Sequence, residues 1–460
     1  MITLFPDQQE SIEKLRQAMK RNKYVILRGE TGSGKSVMAS YMINEALKKG
    51  IKSAFVVPRR ELLYQMHLTF KEFGIRHGIV ASMFDFYKGK DVYVCTSGTL
   101  VNKLDYIDPK LVFIDECHFG GNQLERIINH FKERGCWIIG LSASPEKGNG
   151  DGLGKYYDEL VSGPSIRDLI NMKRLSDYRL FAPSSPDLSK IKINNGEYNQ
   201  TQLNEFMRSE RYITGDAIKH YKSHAEGKLN ITFCVSIEHS KRTAKDFNDS
   251  GIPSIHMDGE TPEYDRRKYA RMFAEKKFLN ICSVDLMTFG YDLSSASGVK
   301  DVTIESMSDL RPTQSRVLQR QKNGRVLRYK PYPAIIFDHS NNHKIHGLPC
   351  EDIEWSLRGR NKIERESSEK TIPVRMCTQC FFCHKPSDKC PNCGFIYPVI
   401  PREIEEVDGE LAEIAIAESK KKARQEVGMA KSLDQLIAIG KQRGYKNPSF
   451  WAKKVLEGRK

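Results

Sequence analysis

The sequence predicts two successive parallel-sheet α/β domains followed by a small metal-binding and helical region. Three observations lead there. Short apolar runs alternate with longer amphipathic stretches, first over residues 24–141 and again over 230–338. A glycine-rich phosphate-binding pattern opens the first block. Five of the eleven cysteines crowd between positions 377 and 393. The chain of 460 residues suits two domains plus an appendage, and a hydrophobic content of 39% is enough for ordinary cores.

In the first block the apolar runs fall at 24–28, 53–57, 92–96, 111–114 and 137–141. Each is too short for a helix and continuous enough for a strand buried on both faces. Residues 145–165 are rich in glycine and read as a linker. The second block repeats the rhythm, with runs at 230–235, 252–257, 278–284 and 333–338 and helical patterns at 238–249, 262–275 and 312–320. The expected division is 1–165, 166–345, a polar linker 346–375, a metal-binding ribbon 376–398, and short helices over 399–460.

The phosphate-binding pattern is Gly29-Glu30-Thr31-Gly32-Ser33-Gly34-Lys35-Ser36, set between an apolar run and a helical stretch. The glycines let backbone N–H groups wrap a phosphate chain, and the following helix aims its positive end at it. Lys35 is placed to reach the β/γ-phosphates, and the Ser36 hydroxyl to bind Mg²⁺. Leu111 to Ile114 then lead into Asp115 and Glu116, two carboxylates at the end of a strand. Asp115 can hold Mg²⁺ through water, and Glu116 can polarise an attacking water. In Gln321-Lys322-Asn323-Gly324-Arg325-Val326-Leu327-Arg328 the two arginines are three apart, so on a helix they would share a face and could reach a γ-phosphate.

The cysteines Cys377-x₂-Cys380 and Cys390-x₂-Cys393 form two knuckles with Zn²⁺ spacing, a closed structural site of four thiolates. Cys383 and His384 leave a second pairing open, Cys380 and Cys383 with Cys390 and Cys393. The net charge of +15 favours a polyanionic partner, and +11 of it lies within residues 1–350. No apolar run approaches the ~18 residues that span a bilayer. The N-terminus lacks the charged and apolar regions of an export signal. Scattered thiols with one metal site suit a reduced, cytoplasmic compartment. Three aromatics among lysines at 83–90 could stack bases, although packing on a core is the better reading, and 444–452 reads as a small helical core.

Taken together, these motifs resemble those of superfamily 2 helicases, and more narrowly the compact helicases encoded by phages and prophages. The resemblance covers residues 1–345 and implies two RecA-like domains, with ATP and Mg²⁺ between them and nucleic acid across both. It implies that Gln8 reads adenine and that Gly29, Glu30, Thr31, Gly32, Ser33, Gly34, Lys35, Ser36, Asp115, Gly290 and Asp292 surround the nucleotide. Lys35, Asp115, Glu116, Gln321, Arg325 and Arg328 take the catalytic roles. Asp115 to His118 is a DECH form of the DEAH motif, and Ser142-Ala143-Ser144-Pro145 resembles motif III. Arg59, beside Glu61, Leu62 and Gln65, and Thr96, Ser97 and Thr99 match strand-contact motifs. Similar phage helicases favour Cys377, Cys380, Cys390 and Cys393 as the Zn²⁺ ligands.

The implied activity is an ATP-dependent DNA helicase or translocase. Only 28 residues separate Asp292 from Gln321, little room for the strand-splitting hairpin that some relatives carry there. Together with the resemblance to phage branch-migration helicases, this makes branched DNA, meaning forks and four-way junctions, the expected substrate, in replication, recombination or repair. A monomer in the host cytoplasm is expected, with replication or recombination proteins as further partners. The alternatives are an RNA helicase on the same fold, or a zinc-ribbon recruitment protein with a vestigial ATPase.

Overall fold

The computed structural model describes residues 2–119, 121–183, 186–194, 196–209, 212–284, 291, 293–299, 302–359, 374–398, 430, 432–442 and 447–457. The first sheet holds β1 (Tyr24–Arg28), β2 (Ser53–Val57), β3 (Gly78–Val80), β4 (Val92–Thr96), β5 (Leu111–Asp115), β6 (Trp137–Ser142) and β7 (Glu159–Ser162). All pairs are parallel, in the order β3-β4-β2-β5-β6-β1-β7. Successive side chains point to opposite faces, and both faces are covered. Val25, Leu27, Phe55, Val57 and Phe113 enter one core, while Ile26, Ala54, Val56, Val112 and Ile114 enter the other. Residues 145–165, expected to be a linker, instead contribute β7, which closes the sheet edge beside β1. Its sequence Glu-Leu-Val-Ser carries too little apolar signal to stand out among glycines.

The second sheet holds β8 (Tyr178–Phe181), β11 (Asn230–Phe233), β12 (Ser254–His256), β13 (Asn280–Ser283), β14 (Ser306–Asp309) and β15 (Ala334–Asp338). Its order is β12-β13-β11-β14-β15-β8, again parallel throughout. A hairpin of β9 (Ile193–Asn194) and β10 (Glu197–Tyr198) follows β8. Two strands of this sheet gave no apolar run. β14 reads Ser-Met-Ser-Asp, yet all four residues are buried. Its hydroxyls are satisfied by Asn230, which accepts from Ser306 Oγ at 2.9 Å and donates to Ser308 Oγ at 3.3 Å and Asn280 Oδ1 at 2.9 Å. A fully bonded polar ladder thus substitutes for apolar packing.

The helix expected at 312–320 runs Arg316–Val326, because the Ser315 side chain caps it by accepting from Leu318 N. Lys322 is wholly buried on this helix, with Nζ 2.6 and 2.8 Å from the Asp309 carboxylate oxygens at the end of β14. Asn342 Nδ2 donates to the same carboxylate at 2.9 Å.

Beyond the second sheet the chain returns to the first. Arg320 Nη1 donates to Pro349 O at 3.0 Å, Cys350 enters the second core, and Leu357 packs against the first. Gly154 N donates to Leu357 O at 2.8 Å. The backbones approach so closely that a Cβ on Gly152 would lie 2.1 Å from Leu357 O. This stretch of the expected linker is therefore a strap joining both sheets. The ribbon follows, with β16 (Arg375–Met376) antiparallel to β17 (Cys383–His384). It covers the outer edge of β8: Ala182 N donates to Phe381 O at 2.9 Å, and the Phe181 and Phe382 rings meet edge to face at 5.5 Å.

Met1–Tyr397 form one compact unit and Pro398–Lys460 a second. In the second, the helices Leu433–Gln442 and Pro448–Glu457 pack through Leu436 and Ala452. Among the described residues no helix is long and apolar enough to cross a membrane.

Lys322→Ala would strand the Asp309 carboxylate in the core. Breaking a buried pair from one side costs about 3–5 kcal/mol, so the denaturation midpoint should fall sharply, while Lys322→Met with Asp309→Asn should recover part of the loss. An unchanged midpoint in Lys322→Ala would contradict this structural role.

Candidate nucleotide and metal sites

The loop after β1 is held from below. Gly29 N donates to Ser142 O at the end of β6 (3.0 Å), and Ser33 N to Glu30 O (3.0 Å). Gly34 sits at φ +87°, where a Cβ would fall 2.2 Å from Gln8 Nε2. Gln8 is buried under the loop, its amide donating to Ser33 O at 3.0 Å and accepting from Phe5 N at 3.1 Å. Lys35 Nζ lies inside the loop, 2.9 Å from Gly29 O and 3.3 Å from Glu30 O. Ser36 stands in the first turn of the helix Lys35–Lys48. An ammonium and the N-terminus of a helix thus stand together at this loop, a donor set that fits a phosphate chain. Beside it, Arg28 and Glu30 form a buried ion pair.

Asp115 ends β5, and Glu116 N donates to its Oδ1 at 3.0 Å. Glu116 has φ +48°, a left-handed turn that swings the second carboxylate off the strand. Burial, and then the neighbouring Glu116, push the Asp115 carboxyl up to about 7, against the pull of Lys35. A bound divalent cation beside Asp115 would reverse that shift. His118 Nδ1 lies 2.9 Å from Ser142 Oγ and 3.4 Å from Glu116 Oε2. Its Nε2 lies 3.4 Å from the Gln321 amide nitrogen. Nδ1 thus faces Ser142 and Glu116 on its own sheet, and Nε2 faces Gln321. Burial lowers the His118 pKa, which keeps the ring neutral. Ser142 Oγ also accepts from Ser144 N at 3.0 Å, tying the third motif into the same chain.

Gln321 comes from the other sheet, so this chain crosses the cleft. Gly324 crosses it too: a Cβ there would lie 2.4 Å from Thr31 Cβ. Arg325 is buried, with Nη1 3.5 Å from Tyr291 O. Arg328 does not share its helical face. The helix ends at Val326, and Arg328 pairs through its backbone with Leu175, its carbonyl accepting from Ser176 Oγ at 3.1 Å. Gly290 and Asp292 lie outside the described residues.

Of the strand-contact candidates, Arg59 is exposed at the entry to the helix Arg60–Glu72. Thr96 Oγ1 donates to Thr99 Oγ1 at 3.1 Å, Thr99 Oγ1 accepts from Ser82 N at 3.1 Å, and Ser97 is half-buried. In the aromatic stretch at 83–90, Phe84 and Phe86 pack on the two cores of the first sheet. Sequence reading missed two ion pairs across the cleft: Arg266 with Glu61 at 2.9 Å and Arg316 with Glu146 at 3.4 Å. Their partners lie 205 and 170 residues away, and no local pattern marks such pairs.

In the ribbon, the sulfurs of Cys377, Cys380, Cys390 and Cys393 all lie within 4.8 Å of one another. Cys377 and Cys393 are 3.7 Å apart, as are Cys380 and Cys390. A tetrahedron with Zn–S bonds of about 2.3 Å has edges of about 3.8 Å, so the four thiolates fit Zn²⁺. Cys383 is buried in the core of the second sheet, and His384 Nε2 contacts Tyr397 Oη at 2.7 Å. Neither joins the cluster, so the alternative pairing is not formed.

Residues 1–147 match the family model described as "Type III restriction enzyme, res subunit". A "51.5 kDa protein" of a Lactococcus phage is 30% identical over 407 residues, covering 86% of this chain and 85% of its own. A Schizosaccharomyces pombe protein named as a mitochondrial ATP-dependent helicase, irc3, is 26% identical over 309 residues, and the chain spans 51% of its length. Among solved structures, the ATP-dependent type ISP restriction-modification enzyme LlaBIII bound to DNA superposes with a TM-score of 0.53 at 16% identity. That match covers 74% of this chain and 28% of the enzyme.

The ribbon generates a metal prediction. Protein purified without chelators should carry about one Zn²⁺ per chain, and Cys390→Ser should release it and unfold the ribbon, since so small a knuckle has no adequate core of its own. Metal analysis of both proteins checks this, with an absence of zinc in the unmodified protein as the contrary result.

Proposed function

We propose that this chain, which belongs to the superfamily 2 helicases of the phage type, is an ATP-driven motor that remodels branched DNA. Family membership carries the coarser statement, an ATP-dependent nucleic-acid motor. The coupling of hydrolysis to cleft closure rests most on one observation, the contacts Glu116–His118–Gln321 that link the two sheets beside the phosphate-binding loop. In this reading Lys35 and the loop N–H groups hold the β/γ-phosphates, and Ser36 and Asp115 hold Mg²⁺, which neutralises charge developing on the phosphates. Glu116 orients the attacking water and accepts its proton. Neutral His118 fixes Glu116 from one side and Gln321 from the other, so the carboxylate is poised only when the sheets meet. Arg325 reaches the γ-phosphate from the second sheet, with Arg328 beside it from beyond the helix end. Gln8 reads adenine by exchanging one of its bonds to the loop, and Gly290 and Asp292 complete the nucleotide site.

Arg59, Thr96, Ser97 and Thr99 take the strand backbone. The excess of +11 within residues 1–350 supports DNA as the partner, as does the DNA bound by the restriction-modification enzyme of similar fold. Between 293 and 320, the described residues form the helix Leu293–Ser297, β14 and the start of the helix Arg316–Val326, with no hairpin. That favours displacing strands at a branch over splitting a plain duplex. The motor acts as a monomer in the host cytoplasm.

Three variants test the chemistry and one comparison the substrate. Glu116→Gln should bind ATP yet lose about 10²–10⁴ in turnover, the usual worth of a general base, whereas Lys35→Ala should lose nucleotide use altogether. Gly324→Ala, which places a methyl against Thr31, should lower kcat by at least tenfold while leaving the denaturation midpoint of the fold nearly unchanged. Wild-type turnover in either Glu116→Gln or Gly324→Ala would contradict the assignment. ATPase and strand displacement should be greatest on forks and four-way junctions, fall steeply with salt and vary little with base sequence. Faster action on an RNA duplex or a plain tailed duplex would overturn the substrate.

A further inference from the structure

A second cavity lies across the same interface, away from the phosphate loop. It has a volume of about 270 Å³ and opens between the helix Arg60–Glu72 of the first sheet and the helix Glu263–Ala274 of the second. Tyr64, Gln65 and Leu68 line one wall; Arg266, Tyr291 and Ala296 line the other. Two of the three arginines lining it have anionic partners. Arg266 bonds Glu61 at 2.9 Å, and Arg267 bonds Glu263 at 2.5 Å. What they offer inward is flat surface, since the Arg267 guanidinium lies 5.9 Å from the Tyr64 ring and the Arg266 guanidinium 5.9 Å from the Tyr291 ring. Tyr291 Oη is held by donating to Arg266 O at 3.2 Å, which fixes the ring. Such walls suit a planar, weakly polar heterocycle better than a phosphate.

The mouth of the cavity is the opposite in character. Arg60 Nη2 donates to Ser82 Oγ at 2.7 Å, and Ser82 N donates to Thr99 Oγ1 at 3.1 Å. Thr99 in turn accepts from Thr96 Oγ1 at 3.1 Å, and Arg59 stands exposed beside Arg60. A hydrogen-bonded line therefore runs from the residues assigned above to the strand backbone directly to the rim. A strand lying on that line keeps its phosphates at the basic rim and faces the cavity with a base.

We propose that this interdomain cavity takes one unstacked base of the tracking strand, held between Tyr64 of one wall and Tyr291 of the other. The inference rests on the nucleic-acid reading above and deepens it. Because the walls come from different sheets, the base is gripped when the cleft closes over ATP and freed when it opens. The grip is thereby synchronised with hydrolysis, and it reads no base identity, since every base presents a π-face.

The test is an abasic scan. Forked DNA, whose junction fixes the register, carries a single abasic site moved along the single-stranded arm, and its affinity is measured by anisotropy with a non-hydrolysable ATP analogue present. One position should weaken binding by about 5- to 100-fold, the worth of one aromatic stack. Tyr64→Ala should weaken binding of the intact fork similarly and abolish the sensitivity to that position, whereas Tyr64→Phe should retain both. Leu68→Trp, which fills the cavity from its exposed rim, should also abolish the sensitivity and guards against a folding defect in Tyr64→Ala. A flat scan with tight binding of the fork would overturn this proposal and leave the motor reading intact, as would equal losses for intact and abasic forks in Tyr64→Ala. Failure of the unmodified protein to bind any DNA would overturn both.

Discussion

The catalytic reading depends on how closely the helix Arg316–Val326 can approach the phosphate-binding loop. Gly324 is what allows it. Any side chain there would meet Thr31, and the helix would stand off by the width of a methyl group. At the distance it reaches, Gln321 meets His118, and His118 meets both Glu116 and Ser142. The His118–Ser142 bond is short at 2.9 Å, while the contacts of His118 with Gln321 and Glu116, both 3.4 Å, stand at the limit of reach and fail with little added separation. Closure and chemistry are thus coupled through geometry alone: a cleft slightly ajar keeps its fold and loses the orientation of Glu116.

Around that contact the protein is built to keep two sheets distinct yet joined. The helix that carries Gly324 is anchored in its own half by the buried Lys322–Asp309 pair, so movement of the cleft moves the helix as a body. Glu146–Arg316 and Glu61–Arg266 tie the two halves at separate points along the cleft. The strap through Leu357 adds a covalent return to the first sheet, secured where Gly152 lets two backbones touch. The ribbon serves a different end. It caps β8, whose free edge would otherwise present unpaired backbone groups. Its four thiolates hold a shape that has few apolar residues of its own.

Much of this was readable from the chain. Continuous apolar runs marked the strands β1, β2, β4, β5, β6, β11 and β15, since parallel strands buried on both faces leave that trace. The phosphate loop was equally plain, as glycine, lysine and serine spacing is set by the ligand. What could not be read has physical causes. β14 is held by side-chain hydrogen bonds rather than apolar packing, so it looks like a loop. β7 and β8 are edge strands, with one neighbour each. Arg325 and Arg328 looked like a helical pair because their spacing is helical, yet the chain leaves the helix between them to pair with Leu175. The contacts across the cleft join residues far apart in sequence, and only the fold brings them together.

The central claim is that nucleotide and DNA together close the cleft until Gly324 rests on Thr31. Energy transfer between dyes placed at the exposed positions Ile51 and Tyr264, one in each half, measures this directly. The account predicts a single short distance when an ATP analogue and forked DNA are both present, and a longer or broader distribution without them. In Gly324→Ala the short distance should not be reached. A separation that is the same with and without ligands, or that is unaltered by Gly324→Ala, would contradict the account.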